Sequence, residues 1–144
     1  MLPTTSTGSA LVAAIEDLGY RVTDTRRQVA HALEARPDGF TAEEICEELN
    51  GVGRATVYRT LKLFQDVGVI CKLALPDGAP RYALATPGRH HHHSVCVACG
   101  AVAEFRDSTV ERVLRAVAGD IEGEIVGHRM EFYVTCPACL ARNS

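Results

Sequence analysis

An α+β fold in two units is predicted by three observations. Apolar residues recur at helical spacing from about residue 9 to 68, broken at Gly and Pro. Two β-prone runs then flank the turn "PDGA" at 76–79. After "TPGR" at 86–89 the character changes to short extended runs and one helix, bracketed by the C-x-x-C pairs "CVAC" and "CPAC". The expected boundaries are 1–84 for the first unit, 85–89 for a hinge and 90–144 for the second.

The helices follow in order. "SALVAAIEDLGY" sets Leu11, Ala14, Ile15 and Leu18 on one stripe closed by Gly19, and "TDTRRQVAHALEARPDG" repeats the pattern through Val29, Ala32 and Leu33 until Pro37 and Gly39. "TAEEICEEL" opens like a capping box, Thr41 with Glu44, and turns Ile45, Cys46 and Leu49 inward. After the break "NGVG", the segment "RATVYRTLKLFQDVG" puts Val57, Leu61 and Phe64 on one face and Tyr58, Arg59 and Lys62 on the other. The strands "VICKLAL" and "PRYALA" complete a hairpin. Short helix, tight break, second helix with a basic outer face and a hairpin make the layout of a winged helix-turn-helix.

In the second unit, "HHHHSVCVACGAVAEF" is extended and knuckle-like, "DSTVERVLRAVAGD" is helical with Asp107 or Ser108 as cap, and "EIVGHRMEFYVT" is a strand leading into "CPACL". A unit of about 60 residues needs a metal or a partner chain to be stable.

Composition narrows the class. The 144 residues are 47% apolar, enough for a core or two, and no apolar run approaches the roughly 20 residues of a membrane span. "MLPTTSTGSA" lacks a signal-peptide pattern, so the expectation is a soluble, cytoplasmic chain with a frayed N-terminus. A net charge of -3 argues against indiscriminate polyanion binding but leaves room for a local basic face. Six cysteines in such a chain favour metal ligation over disulfides.

Cys96 with Cys99, and Cys136 with Cys139, supply the four thiolates that structural zinc wants in a tetrahedron. The run His90 to His93 lies mid-chain and belongs to the protein. In an extended segment His91 and His93 share one face and His90 and His92 the other, so two metal centres can be served. Glu104, Glu111 and His128 downstream and Cys71 upstream are candidate further ligands; a solvated histidine tract, a surface glutamate and a core cysteine are the plain alternatives. His31 is a packing or surface histidine and Cys46 a core residue.

With the hairpin, "GRATVYRTL", "HHHHSVCVACG" and "CPAC" in place, the chain resembles the ferric uptake regulator family of metal-responsive transcription factors over about residues 14–140, most of all its zinc uptake branch. The resemblance implies a winged-helix DNA-binding domain and an α/β dimerisation domain whose strands form a sheet shared between two chains. It also implies a structural zinc on Cys96, Cys99, Cys136 and Cys139. Tyr58 and Arg59, with Thr56, Arg54 and Lys62 nearby, would meet operator DNA, while Arg21 and Arg26 would touch its backbone or minor groove. A regulatory site for zinc or another divalent transition metal would use His91, His93, Glu104 and Cys71. A second site would use His90, His92, Glu111 and His128.

The sequence departs from the family's pattern at the regulatory site. Ala85 stands where zinc sensors place a cysteine and Leu84 where iron sensors place a glutamate; Gly39 or Phe40 stands where iron and peroxide sensors supply an imidazole. Cys71 can replace the missing thiolate from one strand over, and a soft thiolate with two imidazoles suits zinc. The reading is a homodimeric zinc-responsive repressor of metal-uptake genes with no membrane association and no enzymatic activity. The alternatives are an iron, manganese, nickel or peroxide sensor of the same family, and a zinc storage or trafficking protein. A zinc hydrolase or deaminase fits poorly, because four thiolates leave no open position for water and "HHHHSV" lacks the deaminase glutamate.

Overall fold

The computed structural model describes residues 9–85, 92–105 and 108–143. The chain divides into two compact units, Met1–Gly88 and Arg89–Ser144.

The first unit contains α1 (Ala10–Asp17), α2 (Asp24–Glu34), α3 (Ala42–Glu48), α4 (Arg54–Asp66) and the antiparallel hairpin of β1 (Ile70–Ala74) and β2 (Pro80–Leu84). Side-chain oxygens of Ser9, Thr23 and Thr41 cap the first three helices, each accepting an N–H three residues on. At Thr41 the capping box is complete: Glu44 returns its carboxylate to the Thr41 N–H at 2.8 Å. Gly68 ends α4 at φ 84°, and Gly78 at φ 87° turns the hairpin, with Asp77 Oδ1 accepting from the Ala79 N–H.

One apolar cluster fills this unit. Ile15, Val29, Leu33, Phe40, Ile45, Val57, Leu61 and Phe64 are fully buried in it, and Cys46 joins them. On α1 the inward stripe is Leu11, Val12 and Ile15; Leu18, expected inside, is 55% exposed because the helix ends before it. Phe40 bridges to Tyr82, and their rings stack at 5.7 Å, tying the hairpin to the helices. The arrangement is a winged helix-turn-helix, with α3 and α4 as the helix pair and β1–β2 as the wing.

The second unit is a three-stranded sheet in the order β4-β3-β5, with β3 (His92–Cys96) central, β4 (Val102–Phe105) antiparallel to it and β5 (Glu131–Val134) parallel. Helices α5 (Ser108–Ala118) and α6 (Pro137–Asn143) complete it. One sequence expectation is corrected here. The strand expected over 124–135 is only four residues long, since β3 offers register partners only to Glu131–Val134. The "CPAC" knuckle also runs into a helix, with Pro137 at its first position, where a missing N–H costs nothing. Of the cap candidates for α5, Ser108 lies within the helix and Asp107 outside the described residues.

Candidate metal centres and nucleic-acid face

The thiols of Cys96, Cys99, Cys136 and Cys139 come together, with all four sulfurs within 4.8 Å of one another. Cys96 to Cys139 and Cys99 to Cys136 are each 3.8 Å apart, far beyond a disulfide bond. A tetrahedron of sulfurs around zinc at about 2.3 Å has edges of about 3.8 Å, so the cluster has the size zinc requires.

The backbone prepares this site. N–H groups of Cys136, Cys99 and Ala98 lie 3.4–3.5 Å from Cys96 Sγ. Led by the Cys136 and Cys99 donors, and against the effect of burial, they hold the Cys96 thiol down at about 6. Arg142 donates to Cys139 Sγ at 3.0 Å and lowers that thiol, but the Cys136 sulfur, burial and the Cys99 and Cys96 sulfurs outweigh it and push Cys139 up to about 11. Four thiols this close resist ionising together without a cation between them, and these donors fit a zinc ion.

Of the histidine run, His92 and His93 are described, while His90 and His91 lie outside the described residues. His92 and His93 are both buried, at 1% and 6% exposure. His92 Nε2 lies 2.8 Å from Glu111 Oε1 on α5, and its ring centroid is 5.9 Å from that of His128. Three of the four residues expected at the second site are thus neighbours, with Phe105 against the His92 ring. Among the described residues, however, only the four thiols bring three or more ligand atoms within 4.8 Å. His93 stands directly across from Glu104 of β4, so these two expected regulatory ligands share a face. On its other side His93 is in register with Glu131 of β5. Glu131 carries no signal in the sequence, because parallel pairing across 38 residues leaves no local pattern.

Cys71 sits half-buried on β1 opposite Ala83. Phe40 belongs to the apolar core and Leu84 packs against it.

On the first unit, α4 buries Val57, Thr60, Leu61 and Phe64 and turns Arg54, Tyr58, Arg59 and Lys62 outward. A cleft of about 400 Å³ between α2 and α4 is lined by Thr23, Thr25, Arg26, Thr56, Arg59, Thr60 and Leu63. Arg26 Nη1 donates to the Arg21 carbonyl, Arg59 Nη2 to Thr56 Oγ1 at 3.0 Å, and Lys62 pairs with Asp66 at 2.8 Å. Arg54 forms a two-bond ion pair with Glu43 of α3, which also accepts from the Tyr58 hydroxyl at 3.1 Å. Glu43 is inconspicuous in the sequence, since its partners are 11 and 15 residues away.

A winged helix with an exposed basic helix face, joined to a unit built on metal-ligand side chains, defines a class: metal-dependent transcription regulators. Known proteins make the assignment narrower. The profile of the ferric uptake regulator family matches residues 17–133. The chain is 35% identical to the ferric uptake regulation protein of Bacillus subtilis, across 83% of this chain and 85% of that one. With the Synechococcus elongatus protein of the same name it shares 30% identity, across 94% and 96%. Among solved structures, a zinc-bound manganese uptake regulator is 33% identical, with a TM-score of 0.64 over 88% of this chain and 98% of that one. The chain belongs to the ferric uptake regulator family, and is therefore a transcription regulator rather than an enzyme. A zinc uptake regulator complexed with zinc and DNA, 21% identical, shares the fold at a TM-score of 0.74 over 96% and 99% of the two chains. Among the described residues, no helix is long and apolar enough to cross a membrane.

Proposed function

We propose that the chain is a zinc-activated repressor that binds operator DNA as a homodimer in the cytoplasm and controls metal-uptake genes. The observation that carries this reading is the outer face of α4, exposed and cationic on a chain of net charge -3, in a protein whose other unit gathers metal ligands. In this reading residues 1–84 bind DNA, 85–89 are the hinge and 90–144 sense metal and dimerise. Helix α4 enters the major groove, where Arg54, Thr56, Tyr58 and Arg59 read base edges while Lys62, Arg21 and Arg26 hold phosphates.

Cys96, Cys99, Cys136 and Cys139 hold the permanent zinc. His91, His93, Glu104 and Cys71 form the regulatory set, and His90, His92, Glu111 and His128 the second set. A bound regulatory ion supplies one anchor shared by both units. The protein's own part is orientation: Cys71 is fixed to the wing by β1, and His93 is held by β3 beside Glu104, so ligation selects one arrangement of the two recognition helices. Dimerisation is supported by Val113, Val117, Phe132 and Tyr133, each 46–55% exposed on a helix with no buried residue and an edge strand.

Zinc is favoured by the Cys71 thiol and by Gly39 and Phe40, neither of which can supply an imidazole. The second reading, an iron or manganese sensor, is favoured by the names of the relatives at 33–35% identity. Fluorescence anisotropy on DNA selected from a random duplex pool, with the protein titrated by zinc, iron, manganese and nickel, decides between them. Zinc alone should give tight binding, and Cys71→Ala and His91→Ala should each abolish the response while the dimer persists. Binding insensitive to every metal would refute regulation and leave a storage role.

A further inference from the structure

Among the cations on the outer face of α4, Arg54 is held differently from the rest. Arg59 donates to a neutral threonine hydroxyl and Lys62 makes a single bond to Asp66. Both terminal nitrogens of Arg54 are taken by the two oxygens of Glu43, and one of those oxygens also accepts from the Tyr58 hydroxyl. The Arg54 guanidinium lies 6.0 Å from the centre of the Tyr58 ring, so the three side chains interlock between α3 and α4.

We propose that Glu43 is a specificity-determining residue: its carboxylate occupies the Arg54 fork and the Tyr58 hydroxyl in the free protein, and only an operator that replaces it gains both groups. The proposal rests on the DNA-binding reading of α4. Side-chain exposures of 62% for Arg54 and 55% for Glu43 place the pair in water, where exchange of partners needs no unfolding. A guanine edge offers two acceptors spaced to replace the carboxylate. A backbone phosphate met at random must approach past a negative charge and finds a neutralised arginine, so the encounter releases fewer counter-ions. The Arg54 bond, and then the Tyr58 bond, hold the Glu43 carboxyl below its ordinary range, which keeps it charged at neutral pH.

The test uses the zinc-loaded protein with two 30-bp duplexes, one of mixed sequence and one selected from a random pool by the wild type, from 50 to 200 mM salt. Glu43→Gln should bind the mixed duplex roughly five- to tenfold more tightly at 100 mM salt, with a salt slope steeper by about 0.9, the signature of one added phosphate contact. Affinity for the selected duplex should change less, so discrimination falls. In an Arg54→Ala background the gain should shrink to under about twofold, since no fork remains to be released. An unchanged melting midpoint shows that the variant is folded. Weaker binding of both duplexes by Glu43→Gln would make Glu43 a support for Arg54, and an undiminished gain in Arg54→Ala would reduce its effect to bulk charge; either overturns the proposal. A wild type that selects no duplex from the pool with any metal removes the DNA-binding reading itself, whereas a wild type that binds while Glu43→Gln changes nothing overturns the Glu43 proposal alone.

Discussion

The two units are held together by different chemistry. In the first, seventeen of the described residues, from Leu11 to Tyr82, form one buried apolar cluster, and three of its four helices are capped by a side chain. In the second, the buried side chains among the described residues are those of Val95 and Val102, against Cys96, Cys139, His92 and His93. Groups that can ligate outnumber plain hydrocarbons there. Hydrophobic transfer stabilises the first unit whatever the metal supply, whereas the second has little to fold around except what its thiols and imidazoles hold. In the proposed reading, that division keeps the DNA-binding unit folded whatever happens at the metal sites of the other.

The sharpest way to break the comparison is Cys96→Ser. Structural zinc sites in small domains contribute apparent free energies of about 10–16 kcal/mol, so this change should abolish the cooperative fold of the second unit and release one zinc per chain. Calorimetry with metal analysis should show the first unit still melting as a separate transition; loss of both transitions would mean that the units are not independent. Next in size is Phe40→Ala, which empties a fully buried ring site against Tyr82. It should cost about 3–5 kcal/mol in the first transition and leave zinc content unchanged. Smallest is Thr41→Ala, which removes one side of the capping box and should lower the first transition by about 1 kcal/mol in urea melts.

The same division governs how much could be read from the sequence. Helices of the first unit announce themselves because periodicity, caps and breakers are local: Thr41 with Glu44 and "PDGA" each carry their meaning within four residues. The thiol cluster was legible for a related reason, since two C-x-x-C pairs state their chemistry by composition alone. Tertiary partners were not. The true length of β5 is set by a parallel neighbour in β3, and α6 hides behind a cysteine motif that dominates its short segment. The grip of Glu43 on Arg54 and Tyr58 exists only once α3 and α4 have crossed. The neighbours of His92 were nominated by resemblance, but the approach of Glu111 to its Nε2 and of Phe105 to its ring exists only once α5 and β4 have folded beside β3.

Helix α4 also has a consequence for how such a protein can change over generations. Val57, Leu61 and Phe64 carry its stability and Thr60 returns its hydroxyl to the Thr56 carbonyl, while Arg54, Tyr58, Arg59 and Lys62 take no part in the core. In the proposed reading, substitutions on the outer stripe alter what the helix recognises at almost no expense to folding, and those on the inner stripe do the reverse. Mutation can therefore wander through new recognition sequences along one side of a helix whose other side stays fixed, so that lineages built on this scaffold diverge in the genes they control before they diverge in shape.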